Sequence, residues 1–182
     1  MSSMRPTHRK TLRRYEIFNQ PRFLTFSCYR QLPLFQNDAI KDAFVERLQM
    51  ARSKLAFRLI AWVIMPEHLH LILVPKLPEV PMPRVLSATK RRFAEHVLRR
   101  WRQLGAPILD RVRTSTGRYR FWQPGGGYDR NIRDEAELFE KIEYIHMNPV
   151  KRALVSRPTD WKWSSAQWYA DQSKGLLEID PW

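Results

Sequence analysis

The run HLHLIL at residues 68–73 sets two imidazoles two positions apart among the apolar side chains Leu69, Leu71, Ile72 and Leu73. Successive side chains of a strand point to opposite faces, so His68 and His70 project from the same side, close enough to share one ion. Two core histidines satisfied by hydrogen bonds would show the same pattern. A metal clamp also needs a third donor, because even open catalytic sites usually take three protein ligands. The stretch EYIHMNPV offers one. Tyr144 and Asn148 are four residues apart and share a helix face, whereas His146 falls roughly opposite and reads as structural. Two imidazoles and an amide oxygen make a fairly hard site suited to Mg²⁺ or Mn²⁺, while Zn²⁺ prefers sulfur or a third nitrogen. Beside such an ion, the Tyr144 phenolate could attack a phosphorus to give a phosphotyrosine. A free phenol has a pKa near about 10, so the site would have to lower it or supply a base. Taken alone, a tyrosine on an amphipathic helix reads first as a core residue.

The elements that must position these residues are legible from periodicity. RFLTFSCY is β-prone, and NDAIKDAFVERLQMARSKL spaces Ile40, Phe44, Leu48 and Ala51 as a helix behind an Asn37 or Asp38 cap. AFRLIAWVIMPEHLHLILVP reads as a hairpin turning at Met65, Pro66 and Glu67, with the histidines opening the returning strand. The Pro-rich KLPEVPMP predicts an extended linker, and RVLSATKRRFAEHVLRRWRQL a second helix. Residues 108–123 suggest a strand pair around Thr116 and Gly117, followed by a QPGGGYD loop. A third helix begins near Asp134, with Glu137 placed as in a capping box, and is expected to stop at Pro149, which pushes Asn148 away from helical dihedrals. This order predicts an α+β fold, an antiparallel sheet with helices packed on it.

A chain of 182 residues suits one domain, and 43% hydrophobic residues with seven Trp give it ample surface to bury. Residues 1–20 read as a basic arm and residues 156–182 as an aromatic-rich tail that packs back on the body or stacks on bases. The 32 Lys and Arg against 18 Asp and Glu leave a net +14, a field that draws polyanions, with nucleic acid first among them. Arg13, Arg14, Lys90, Arg91, Arg92, Arg118 and Arg120 are candidate phosphate contacts, and Trp122, Tyr128 or the tail aromatics candidate stacking surfaces. No apolar run approaches a membrane span, MSSMRPTHRK has no signal-peptide core, and the lone Cys28 suits a reducing cytoplasm.

The blocks MPEHLHLILVP, FWQPGGGYDRNIRDEAEL, YIHMNPVKRALV and DWKWSSAQWY, in that order, resemble the single-tyrosine HUH transposases of the IS200/IS605 type, and most closely the REP-associated tyrosine transposases. The resemblance implies a ferredoxin-like sheet (the HUH nuclease fold) over residues 21–155, with the histidine pair on a central strand. It implies a divalent metal, Mg²⁺ or Mn²⁺, on His68, His70 and Asn148, with Tyr144 as nucleophile. It further implies cleavage and joining of single-stranded DNA at hairpin-forming palindromes through a 5′-phosphotyrosine, by a monomer, a dimer being the alternative, in the bacterial cytoplasm at the nucleoid. Glu67 stands where Asn or Asp is more usual, and PGGGYD is longer and richer in Gly than the usual loop. Two other readings remain at this stage: a protein that binds hairpins without cutting, and a zinc hydrolase, which would lack an HExxH helix and cysteine ligands.

Overall fold

The computed structural model describes residues 16–125, 127–172 and 174–182. Arg13 and Arg14 lie outside the described residues. Four strands, β1 (Arg22–Ser27), β2 (Arg58–Ile64), β3 (His68–Val74) and β4 (Tyr128–Asn131), form one sheet in the order β2-β3-β1-β4, with neighbours antiparallel. Helix α1 (Asp38–Leu55) joins β1 to β2, and a helical segment joins β3 to β4. This is the ferredoxin-like α+β arrangement.

Alternation along the strands gives the sheet two apolar faces. Leu24 and Phe26 of β1, Leu69, Leu71 and Leu73 of β3, and Trp62 and Ile64 of β2 face the larger core with Phe44 and Leu48 of α1. The opposite face carries Phe23, Ala61, Val63, Ile72 and Val74, covered by Leu138, Ile142 and Ile145 of α5 (Glu135–Lys151). His68 and His70 share the parity of Ile72 and Val74, so the fold turns them toward the α5 side of the sheet.

The segment after β3 is a helical rod: α2 (Met82–Leu86), one π-helical turn at Ser87–Arg91, then α3 (Arg92–Gln103). Phe93, Val97 and Trp101 of α3 are buried in the larger core. The strand pair expected over 108–123 does not form. Ile108–Val112 is a short helix, α4, and Arg113 bridges Tyr119 across a turn. Ile108 and Val112 are four apart, so helix puts both on the core side, and Pro107 presets a helical φ at the start. The fourth strand is instead YDRN, directly after the glycine loop. Its signal is not apolar. Asp129 is 4% exposed, and its Oδ1 accepts from Nε and Nη2 of the fully buried Arg22 at 2.9 and 2.7 Å.

Trp163, Ser165 and Asp180 close the β2 edge. Ile64 N–H donates to Trp163 O, Ser165 N–H to Trp62 O and Asp180 N–H to Leu59 O, each at 2.9 Å. The tail thus occupies backbone groups that an exposed edge strand would offer to other chains. Trp163 is buried, and its indole N–H donates to Asp42 at 2.8 Å.

Candidate functional site

Register places the first residues of the site. β1 and β3 pair Thr25 with His70 and Ser27 with His68, and β1 and β4 pair Thr25 with Tyr128. The two imidazole centroids are 4.8 Å apart at 75°. Phe23 stacks on His70 at 5.4 Å. From the covering helix, the Tyr144 ring meets His70 edge-on at 5.4 Å and Phe23 at 6.1 Å. The structure therefore brings the phenol and His70 together across one cleft of about 320 Å³, lined by Phe23, Thr25, His70, Tyr128, Lys141 and Tyr144, with His68 beside His70. Tyr144 remains 41% exposed, within reach of a substrate from solvent.

Helix α5 presents Tyr144 because its start is fixed and its stripe is apolar. Asp134 caps it by accepting from Glu137 N–H at 2.8 Å, and Glu137 in turn accepts from Arg133 N–H at 3.0 Å. The helix does not stop at Pro149 but runs through it to Lys151, correcting the expectation that Asn148 leaves helical dihedrals. Proline removes only the bond to Ile145 O, and the neighbouring turn is tied by Asn148 Nδ2–H donating to Tyr144 O at 3.1 Å. Asn148 stays one turn beyond Tyr144 and is buried.

Each imidazole is held at one nitrogen. His68 Nδ1–H donates to Glu67 at 3.1 Å, and Glu67 is held by the Arg152 guanidinium at 3.0 Å. His70 Nδ1 bonds the Thr25 hydroxyl at 2.8 Å. The Glu67 carboxylate takes the Nδ1–H of His68, which leaves that ring's lone pair on Nε2. His70 Nε2 is buried without a hydrogen-bond partner, an arrangement that is costly unless something further binds there. Burial keeps both rings neutral: it lowers His68 below the usual imidazole value against the opposing pull of Glu67, and it lowers His70 to about 3, helped by His68. Neutral imidazoles are the form a divalent cation requires. Among the described residues no third His, Cys, Asp or Glu joins them, as a protein-only zinc site would need.

Sequence reasoning missed Thr25, Phe23 and Lys141 at the cleft. Thr25 had a signal, a hydroxyl breaking the apolar run of β1, but its meaning depends on the β1–β3 register. His146 is structural, as its helical position suggested. Its Nε2 bonds Ser165 Oγ at 2.8 Å, and burial lowers it to about 4. Trp122 is 8% exposed, with its indole N–H donating to Lys90 O at 2.9 Å. Arg91, Arg92, Arg118 and Arg120 are exposed and Lys90 is half-buried.

The lowered histidines predict a pH dependence of stability. Below about pH 6.5 the unfolded chain takes up protons that folded His70 and His146 refuse, so stability falls as pH drops through 6.5 toward the folded values. Each contributes up to about 2 kcal/mol of loss at pH 5. Urea midpoints measured with a chelator present should decline between pH 7.5 and 5, and a flat profile would contradict this burial.

Fold and cleft together define an α+β protein of ferredoxin-like topology in which one histidine of a same-face pair, His70, shares a cleft with a helical tyrosine. No protein-family model matches the chain. It is 30% identical over 124 residues to the REP-associated tyrosine transposase of Escherichia coli K12, covering 68% of this chain and 62% of that one. It is 29% identical over 111 residues, 60% of this chain and 58% of the other, to a Haemophilus influenzae protein provisionally given the same name. The chain thus spans about three fifths of the length of the curated relatives it matches. A solved structure of a REP-associated tyrosine transposase bound to a REP hairpin superposes with a TM-score of 0.66 at 23% identity, over 96% of this chain and 92% of that one, and shares the fold. The chain is a relative of the REP-associated tyrosine transposases, as its ordered sequence blocks implied.

Proposed function

We propose that the chain is a divalent-metal-dependent transposase that cleaves and rejoins single-stranded DNA beside hairpin-forming palindromes. The observation that carries this reading is the Tyr144 ring lying 5.4 Å from His70 in a cleft open to solvent. Support comes from the name of the Escherichia coli relative and from the hairpin bound in the structural neighbour.

In this mechanism the Tyr144 Oη gives up its proton to water and bonds to the scissile phosphorus as the P–O3′ bond breaks. The 3′ oxygen leaves and takes a proton, and the 5′ phosphate remains on the tyrosine. Rejoining reverses the step, with a 3′-hydroxyl attacking and the phenol departing. Lys141, one turn before Tyr144, lines the same cleft and would exchange its 2.7 Å contact with Glu140 for the phosphate. Thr25 and Glu67 hold the two imidazoles in orientation. His68, His70 and Asn148 would hold Mg²⁺ or Mn²⁺, which would supply Lewis-acid polarisation of the phosphate. The net +14 charge draws the DNA to the surface, and the chain would act as a monomer in the cytoplasm. Among the described residues no helix is long and apolar enough to cross a membrane.

The test is incubation with end-labelled hairpin oligonucleotides, taken from the inverted repeats flanking the gene, with Mn²⁺. A denaturant-resistant adduct that maps by peptide mass to Tyr144 is expected. Adduct on another residue, or none with any flank, would defeat the reading.

A further inference from the structure

A second cleft adjoins the first, and a third adjoins the second. A passage of about 220 Å³ is lined by Thr25, Ser27, Lys90, Gln123, Gly127 and Tyr128, and shares Thr25 and Tyr128 with the Tyr144 cleft. A groove of about 540 Å³ shares Lys90 with the passage. Apolar side chains form its walls, chiefly Leu86, Ala94, Leu98, Tyr119, Phe121 and Trp122. We propose that the three form one track for single-stranded DNA, which leaves Tyr144, passes Lys90 and seats one unpaired base in the apolar groove. The proposal rests on the reading of the chain as a DNA transposase and names where its substrate's flank runs.

The rim of the groove decides the occupant. Lys90, Arg91 and Arg120 stand around the apolar walls, with Glu95 alone opposing them at 4.0 Å from Arg91. A slot with apolar walls, the half-buried Tyr119 ring at its surface and a cationic rim suits a base with its backbone phosphates, because the ring meets the base while cations meet the strand. Its volume lies within the usual range of ligand sites, about 300–1,000 Å³. Lys90 is held at the junction, its Nζ 4.9 Å over Phe26 and 5.6 Å over Trp122. Three lining residues, Ser87, Lys90 and Arg91, belong to the π-helical turn, a distortion that proteins use most often at functional sites. The passage itself depends on Gly127. At φ +73° a Cβ there would press on Thr25 O, so only glycine lets the loop approach β1 this closely.

The experiment compares labelled oligo(dT) of about 6 and about 16 nucleotides by fluorescence anisotropy, lengths that bracket the site size of a stacking groove. Wild type should bind the longer strand at least about fivefold more tightly than the shorter, the gain of seating one stacked base. Ala94→Trp, which fills the groove, should abolish that gain while leaving the short strand unaffected. Arg120→Ser, on the exposed rim and therefore safe for folding, should reduce the salt slope for the long strand by about 1 and leave that for the short strand unchanged. A full length gain in a folded Ala94→Trp, or an unchanged slope in Arg120→Ser, overturns the track. If the Tyr144 adduct still forms in those variants, only the track has failed. Absence of both adduct and strand binding in wild type removes the function reading and the track with it.

Discussion

Tyr144→Phe should bind hairpin oligonucleotides within about twofold of wild type yet lose cleavage by at least about 10³-fold, with no covalent adduct. The variant removes one oxygen and nothing else. Phenylalanine retains the edge contacts that the tyrosine ring makes with His70 and Phe23, so the cleft keeps its shape. The side chain is 41% exposed, so stability should stay within about 0.5 kcal/mol. The decisive measurement is the separation of the two readouts. If binding falls along with cleavage, the hydroxyl anchors DNA rather than attacking it. If cleavage survives, another nucleophile does the work, and the proximity of phenol and imidazoles is only packing.

The elements around the cleft differ in how openly their residues announce them. Helix α5 was legible because its cap and its apolar stripe, Leu138, Ile142 and Ile145, are local facts. The parity of His68 and His70 was legible because a strand's side-chain period is two. Strand β4 was not, since YDRN has no apolar alternation and is held by a side-chain partner 107 residues away. The 108–123 region misled for a related reason. Its β-prone residues are consumed by a short helix and a single bridge, and only the position of Val112 against the core decides between them. Pro149 misled because proline here removes only the bond to Ile145 O, while the turn around it is tied by Asn148 Nδ2–H to Tyr144 O and by Arg152 N–H to Asn148 O, each at 3.1 Å.

The same long-range pairing that hid β4 gives the largest expected effect on stability. Asp129→Leu should destabilise the fold by about 3–5 kcal/mol, because it strands the buried Arg22 guanidinium without this counter-charge. That is a large share of the roughly 5–15 kcal/mol by which domains are stable, so the variant should be partly unfolded at 37 °C. The loss should reside in the buried charge left without this counter-charge rather than in any special strength of the pair, since an ion pair in a dry site gains little over well-packed apolar groups. Arg22→Leu combined with Asp129→Leu should therefore recover most of the urea midpoint. Asp160→Asn makes the contrast: its partner Arg157 lies at the surface, where water screens the pair, and the urea midpoint should not move measurably. Strand β4 pairs only with β1 among the described strands and carries Tyr128 at the cleft, so the single variant should lose oligonucleotide cleavage at temperatures where the sheet core, followed by tryptophan fluorescence, is still folded. Full stability in the single variant, or no recovery in the double, would show that β4 is held by something other than this pair.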